Sequence, residues 1–167
     1  MKKSDNFSHL DEFGNANMAD VGHKEITERL ARAQAIVLLN PQTMQKLLDQ
    51  KLPKGDVLAC ARIGGIMAAK RTSELIPLCH NISLSKVSVE FEINTETPSI
   101  RILTECRCRA RTGVEMEAIV AAQCAAAIIY DMCKAVQRDI IIKDVRLLYK
   151  NGGQSGEFSA DLTNASA

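Results

Sequence analysis

The chain has 167 residues, 21 Lys and Arg against 20 Asp and Glu for a net charge of +1, and 46% hydrophobic residues. That length holds one ordinary domain with a core of its own, and the balanced charge excludes the broad basic field that draws nucleic acid or a membrane surface. Six aromatic residues and no Trp argue against recognition of RNA by base stacking, so an anion has to be held by a local cluster of side chains.

Six cysteines without a leading apolar segment read as reduced thiols of a cytoplasmic protein rather than a disulfide framework. Cys79 beside His80 and the pair Cys106 and Cys108 raise a metal site, but their spacing is poor for zinc. Small buried thiols in the core are the ordinary reading. No apolar run is expected to reach the length that spans a bilayer.

Residues 1–23 are polar and without a sustained period, and are read as a flexible N-terminal arm. From Thr27 to Leu39, Ala33, Ala35, Val37 and Leu39 alternate with Arg32 and Gln34, which predicts a strand. Asn40 followed by Pro41 is a helix start, running to about Gln50. A turn over Lys51, Pro53, Lys54 and Gly55 leads to a second helix capped by Asp56 and running toward Lys70. Gly64 and Gly65 inside it each cost about 1 kcal/mol against Ala, and such a pair marks close packing. Leu84 to Ile93 and Ile100 to Arg111 alternate about a turn at Asn94 to Pro98, and form a hairpin. The Ala-rich run Val114 to Val136 is the longest helix, and Ile140 to Leu148 is the last strand. Residues 24–150 are thus a single α+β domain, followed by a Gly-containing flexible tail, 151–167. The order β-α-α-β-β-α-β fits a ferredoxin-like antiparallel sheet with its helices on one face.

Several polar residues invite a chemical reading. Asp131 and Lys134 stand i, i+3 on one helix face, either as a surface ion pair or, among Tyr130, Met132 and Cys133, as charges kept in an apolar neighbourhood for work. Glu115 and Glu117 open the long helix, where they favour its dipole. Fourteen residues, about 21 Å of helix, separate Glu117 from Asp131, too far for one pocket within one chain. His80 is either an acid or base or a satisfied structural histidine. Gly152, Gly153 and Gly156 lack the lysine and helix of a phosphate loop.

Four motifs in one order, Lys54-Gly55-Asp56, AAKRTSELIPLCH ending at His80, TGVEMEA from Thr112 and YDMCKA from Tyr130, closely resemble the MoaC family, the cyclic pyranopterin monophosphate synthases of molybdenum cofactor biosynthesis. The likeness runs from about His9 to Gly156. It implies a lyase acting on a small-molecule substrate, a cyclised dihydro-GTP, which is rearranged to cyclic pyranopterin monophosphate with release of pyrophosphate and without metal or redox cofactor. It implies Asp131, Lys134 and Lys54 as catalytic residues, and Leu78, Cys79, His80, Glu115, Met116, Glu117 and Arg29 as substrate-binding residues. It also implies a homohexamer, a trimer of dimers with active sites at dimer interfaces, and no nucleic-acid or membrane partner. The sequence departs from the family's usual pattern at Gln154, commonly Lys, at Asn81, commonly Pro, and at Gly65, commonly Ala. Two alternatives stay open at this point, a ligand-sensing regulatory module and a metal held by cysteines.

Overall fold

The structure, a computed structural model, describes residues 13–161. The chain runs β1 (Thr27–Leu38), α1 (Pro41–Leu48), α2 (Val57–Lys70), α3 (Thr72–Leu75), β2 (Leu84–Asn94), β3 (Ser99–Ala110), α4 (Glu115–Cys133), β4 (Ile141–Asn151) and β5 (Phe158–Ser159). The strands form one sheet in the order β2-β3-β1-β4-β5, every neighbouring pair antiparallel. With β1 between β3 and β4, this is the split βαβ arrangement expected from the element order.

Alternation decides which side of each strand faces the helices. Ala31, Ala33, Ala35 and Val37 of β1 and Ile100, Ile102, Cys106 and Cys108 of β3 are buried under α4, which packs on both strands and on α2. Gln34, expected on the exposed side, is buried as well. Arg101 donates to its Oε1 from Nε at 2.9 Å and from Nη2 at 2.8 Å, and its own amide donates to Asp144, so this polar side chain is fully partnered on the sheet's open face. Asn40 caps α1 by accepting from the Thr43 amide at 2.7 Å, with Pro41 in the first turn, and Asp56 caps α2 by accepting from the Ala59 amide at 2.9 Å.

The glycine pair has the packing role its cost suggested. A Cβ on Gly65 would lie 3.0 Å from the Ala121 carbonyl oxygen, 3.1 Å from Val89 and 3.3 Å from Ala125, because α2 and α4 approach through small residues. The expectation about apolar runs needs correction at α4. At 19 residues and a mean hydropathy of 1.4 it is long and apolar enough, by length and composition, to cross a membrane. Its apolarity belongs instead to the core of the fold, since Ala118, Ala121, Ala122, Ala125, Ala126 and Ile129 are wholly buried.

Two elements go beyond the expected order, the single turn α3 and the two-residue β5. After Asn151 the chain crosses the start of β1 and returns, so that Tyr149 pairs with Ser159 and Lys150 with Phe158, and the Ala160 amide donates to the Leu148 carbonyl at 2.8 Å. The residues between β4 and β5 therefore form a strap tied to the sheet at both ends.

Candidate active site

The first turn of α4, the start of β1 and the strap enclose a cleft of about 720 Å³, lined by Lys24, Arg29, Arg111, Glu115, Gln154 and Ser155 among others. A smaller chamber of about 220 Å³ adjoins it, lined by Leu78, Cys79, His80, Met116 and Glu117, and the two share Lys24, Thr112, Gly113 and Glu115. The larger chamber carries most of the cations. Arg29 and Thr27 line it, and Arg29 Nε and Thr27 Oγ1 are buried with no hydrogen-bond partner, donors in need of an acceptor.

The smaller chamber holds the acid-base groups. Glu117 is 4% exposed, and burial, reinforced by the neighbouring Glu115 carboxylate, pushes its carboxyl up to about 7. Burial, with the charge of Glu117, also raises the Cys79 thiol. Burial first, and Glu117 next, push Cys106 up to about 12 and Cys108 to about 11, so none of these three thiols is activated as a nucleophile. His80 Nε2 donates to the Ala19 carbonyl at 2.8 Å, which fixes the tautomer of a neutral ring and leaves Nδ1 as its acceptor. Arg111 donates to the Lys24 carbonyl at 2.9 Å. Both bonds hold the segment before β1 against the chambers. Lys150 Nζ lies 3.9 Å from the Glu115 carboxylate and donates to Ser155.

A second cluster stands at the other end of α4. Asp131 receives Lys54 Nζ on Oδ2 and Lys134 Nζ on Oδ1, each at 2.6 Å. Lys134 is the residue just after the helix, and Lys54 comes from the turn before α2, where Gly55 has φ +85°. The hydrogen bond from Lys134, and then that from Lys54, hold the Asp131 carboxyl down at about 2, while Asp131 raises the Lys134 ammonium. All three side chains are about half exposed, which corrects the apolar neighbourhood read from Tyr130, Met132 and Cys133. Successive helical residues point about 100° apart, and Met132 and Cys133 turn inward while Asp131 faces out.

Leu78, Cys79, His80, Glu115, Met116, Glu117 and Arg29 thus gather around two joined chambers, and Lys54, Asp131 and Lys134 form a separate triad. Within this chain the two groups do not meet, being at opposite ends of one helix. Sequence reasoning missed Ala19, Val21, Thr112 and Ser155 as lining residues and left Lys24 unmentioned. Ala19, Val21 and Lys24 lie in the run before the first strand, and Thr112 and Ser155 in short connections after β3 and β4, where no periodic signal would have found them. Among the described residues, no group of three His, Cys, Asp or Glu side chains is arranged to hold a metal ion.

The MoaC family model matches residues 18–153, which include Arg29, Leu78 to His80, Glu115 to Glu117 and the triad of Lys54, Asp131 and Lys134. The chain belongs to the MoaC family. It is 64% identical over 154 residues to a cyclic pyranopterin monophosphate synthase of Desulfovibrio desulfuricans, covering 92% of this chain and 94% of that protein. It is 54% identical to proteins of the same name from Nitratidesulfovibrio vulgaris, over 96% of this chain and 100% of the relative, and from Oleidesulfovibrio alaskensis, over 94% and 99%. The joined chambers and the lysine-aspartate triad are therefore features of a MoaC-family fold present here at nearly full length.

Proposed function

We propose that this MoaC-family chain is a cyclic pyranopterin monophosphate synthase, a lyase that converts a cyclised dihydro-GTP to cyclic pyranopterin monophosphate and pyrophosphate in molybdenum cofactor biosynthesis. The observation that carries this reading is the junction of a cationic chamber with an acid-base chamber at Glu115, in a chain so similar to enzymes of that name. A triphosphate fits the first, where Lys24, Arg29 and Arg111 supply charge. A purine-derived ring fits the second, between Leu78, Cys79, His80, Met116 and Glu117.

The reaction opens a purine ring and closes a cyclic phosphate. In the closure a substrate hydroxyl loses its proton and attacks the α-phosphorus, and the β- and γ-phosphates leave as pyrophosphate. Glu117, held near 7, is poised to accept or give a proton at neutral pH. In this reading Lys134 is the second proton carrier, Asp131 sets its orientation and charge, and Lys54 completes the triad. Positioned acid-base groups contribute about a hundred- to ten-thousand-fold each.

The site as proposed draws on two subunits of a cytoplasmic homohexamer, a trimer of dimers, with Glu117 of one chain facing Asp131 and Lys134 of its neighbour. Two observations support the assembly. The clusters lie about 21 Å apart along α4, and the outer side of the helical layer exposes Ile63 at 60%, Met67 at 48% and Leu75 at 61%, apolar surface that packs well against a second copy. The reading involves no cofactor, metal, nucleic acid or membrane. Incubation of the purified protein with the cyclised dihydro-GTP tests it, with pyrophosphate and the pterin expected in equal amounts. A folded, assembled protein that leaves the substrate unchanged overturns it.

A further inference from the structure

Nothing in the proposed reaction accounts for how the strap meets Arg29. The β1–β4 ladder ends at Leu30 and Asn151, and the next two residues pass directly over the start of β1 in conformations with φ +103° at Gly152 and +81° at Gly153. A Cβ on Gly152 would overlap the Glu28 carbonyl oxygen. One on Gly153 would overlap Arg29 Nη1 and lie 2.5 Å from Cζ and 2.9 Å from Nη2. The guanidinium of Arg29 thus lies against the bare Cα of Gly153, with its Nε buried and unpartnered. The strap cannot drift away from it, because β5 ties its far end to β4 and the Gly156 amide donates to the Gly153 carbonyl at 3.2 Å.

We propose that Gly153 is a positioning residue, whose bare Cα seats the Arg29 guanidinium against the strap so that it faces an anionic ligand in the cationic chamber. The inference rests on the proposed function for the identity of that anion, the di- or triphosphate portion of the substrate. The two glycines differ in what a methyl group would displace. At Gly152 it meets first the Glu28 backbone, which cannot move, with Arg29 Cδ next at 3.0 Å, so that position serves the fold before it serves the side chain. At Gly153 it meets the free end of a long side chain, which swings aside, so the damage falls on the direction of the cation rather than on stability. Gly156 also has positive φ, +65°, with nothing within 4 Å of a Cβ. It carries the same backbone strain without the contact.

Titration calorimetry with inorganic pyrophosphate at fixed ionic strength separates these roles. Gly153→Ala is expected to assemble normally and to weaken pyrophosphate binding roughly tenfold or more, as for one lost charge-assisted hydrogen bond, while Gly156→Ala binds like the wild type. In an Arg29→Lys background, Gly153→Ala should add little further loss, because the two act through one cation. Wild-type binding by Gly153→Ala, an equal loss in Gly156→Ala, or full additivity with Arg29→Lys overturns the proposal. Hydrogen exchange gives a reading that does not depend on the glycine variant folding. Pyrophosphate should slow exchange across residues 152–156 in the wild type but much less in Arg29→Lys, and equal protection in both refutes the coupling. A wild-type chain that binds no pyrophosphate sinks the inference, whereas binding without turnover of the cyclised nucleotide counts against the synthase reading alone.

Discussion

A mixed-subunit experiment reads the separation of the two clusters as activity. Glu117 and Asp131 lie in one continuous helix, Glu115–Cys133, and fourteen residues of rise keep them about 21 Å apart, beyond the reach of any side-chain rearrangement. A site that uses Glu117 together with Lys134 therefore takes them from different chains. Glu117→Gln and Lys134→Ala should each be assembled and nearly inactive on its own. When equal amounts are unfolded together and reassembled, half the dimers are mixed. In each mixed dimer one site carries both substitutions and the other carries neither, so about a quarter of wild-type activity returns for a two-fold interface. The assay is pyrophosphate release from the cyclised dihydro-GTP, with separately tagged subunits to confirm mixing. Confirmed mixed dimers that stay at the background of the single variants refute the shared site, and with it the role given to the distance along α4.

Glu117 also makes stability depend on pH. Its carboxyl is raised from 4.5 to about 7 in the folded chain, so between those values the folded state keeps a proton that the unfolded state has released. Stability is fully present below about 4.5, falls as pH rises through the window, and levels off above 7, a loss of up to about 3 kcal/mol per chain. Urea unfolding at fixed protein concentration should show Glu117→Gln free of this loss and more stable than the wild type at pH 8, and parallel pH profiles contradict it. Thr104 tests the seat of α4 on the sheet. Its buried hydroxyl donates to the Ala118 carbonyl at 2.8 Å, and Thr104→Val should cost about 1 kcal/mol, seen as a lower urea midpoint with an unchanged slope. An unchanged midpoint would remove this bond as an anchor of the helix.

The elements with strong local signals were legible from the sequence. Asn40 and Pro41 start α1 as read, and the alternation on either side of Asn94 to Pro98 gives the β2–β3 hairpin. Boundaries moved where the signal was weak. The long helix, read to Val136, ends at Cys133, a boundary the sequence leaves unmarked because Lys134, Ala135 and Val136 follow it with no Gly or Pro to mark the stop. The strand read to Leu148 continues to Asn151, because β1 offers partners as far as Leu30. The strap was not legible at all. Two residues of strand leave no period, and glycines at positive φ signal a turn without saying what the turn covers.

The site was legible in a different way. The resemblance named the candidate residues, but the spacing of residues along the chain does not say which of them meet. Lys54 and Asp131 are 77 residues apart and share a 2.6 Å hydrogen bond that no local pattern encodes. Glu117, read as a first-turn residue suited to the helix dipole, is buried. In a helix this rich in alanine, both faces are apolar enough that periodicity does not mark the inward one. The distance along α4, by contrast, follows from helix geometry alone, and the structure leaves it standing. That distance is why, in the proposed site, neither cluster is complete in one chain, and why the activity proposed here stands or falls on what a second copy brings to it.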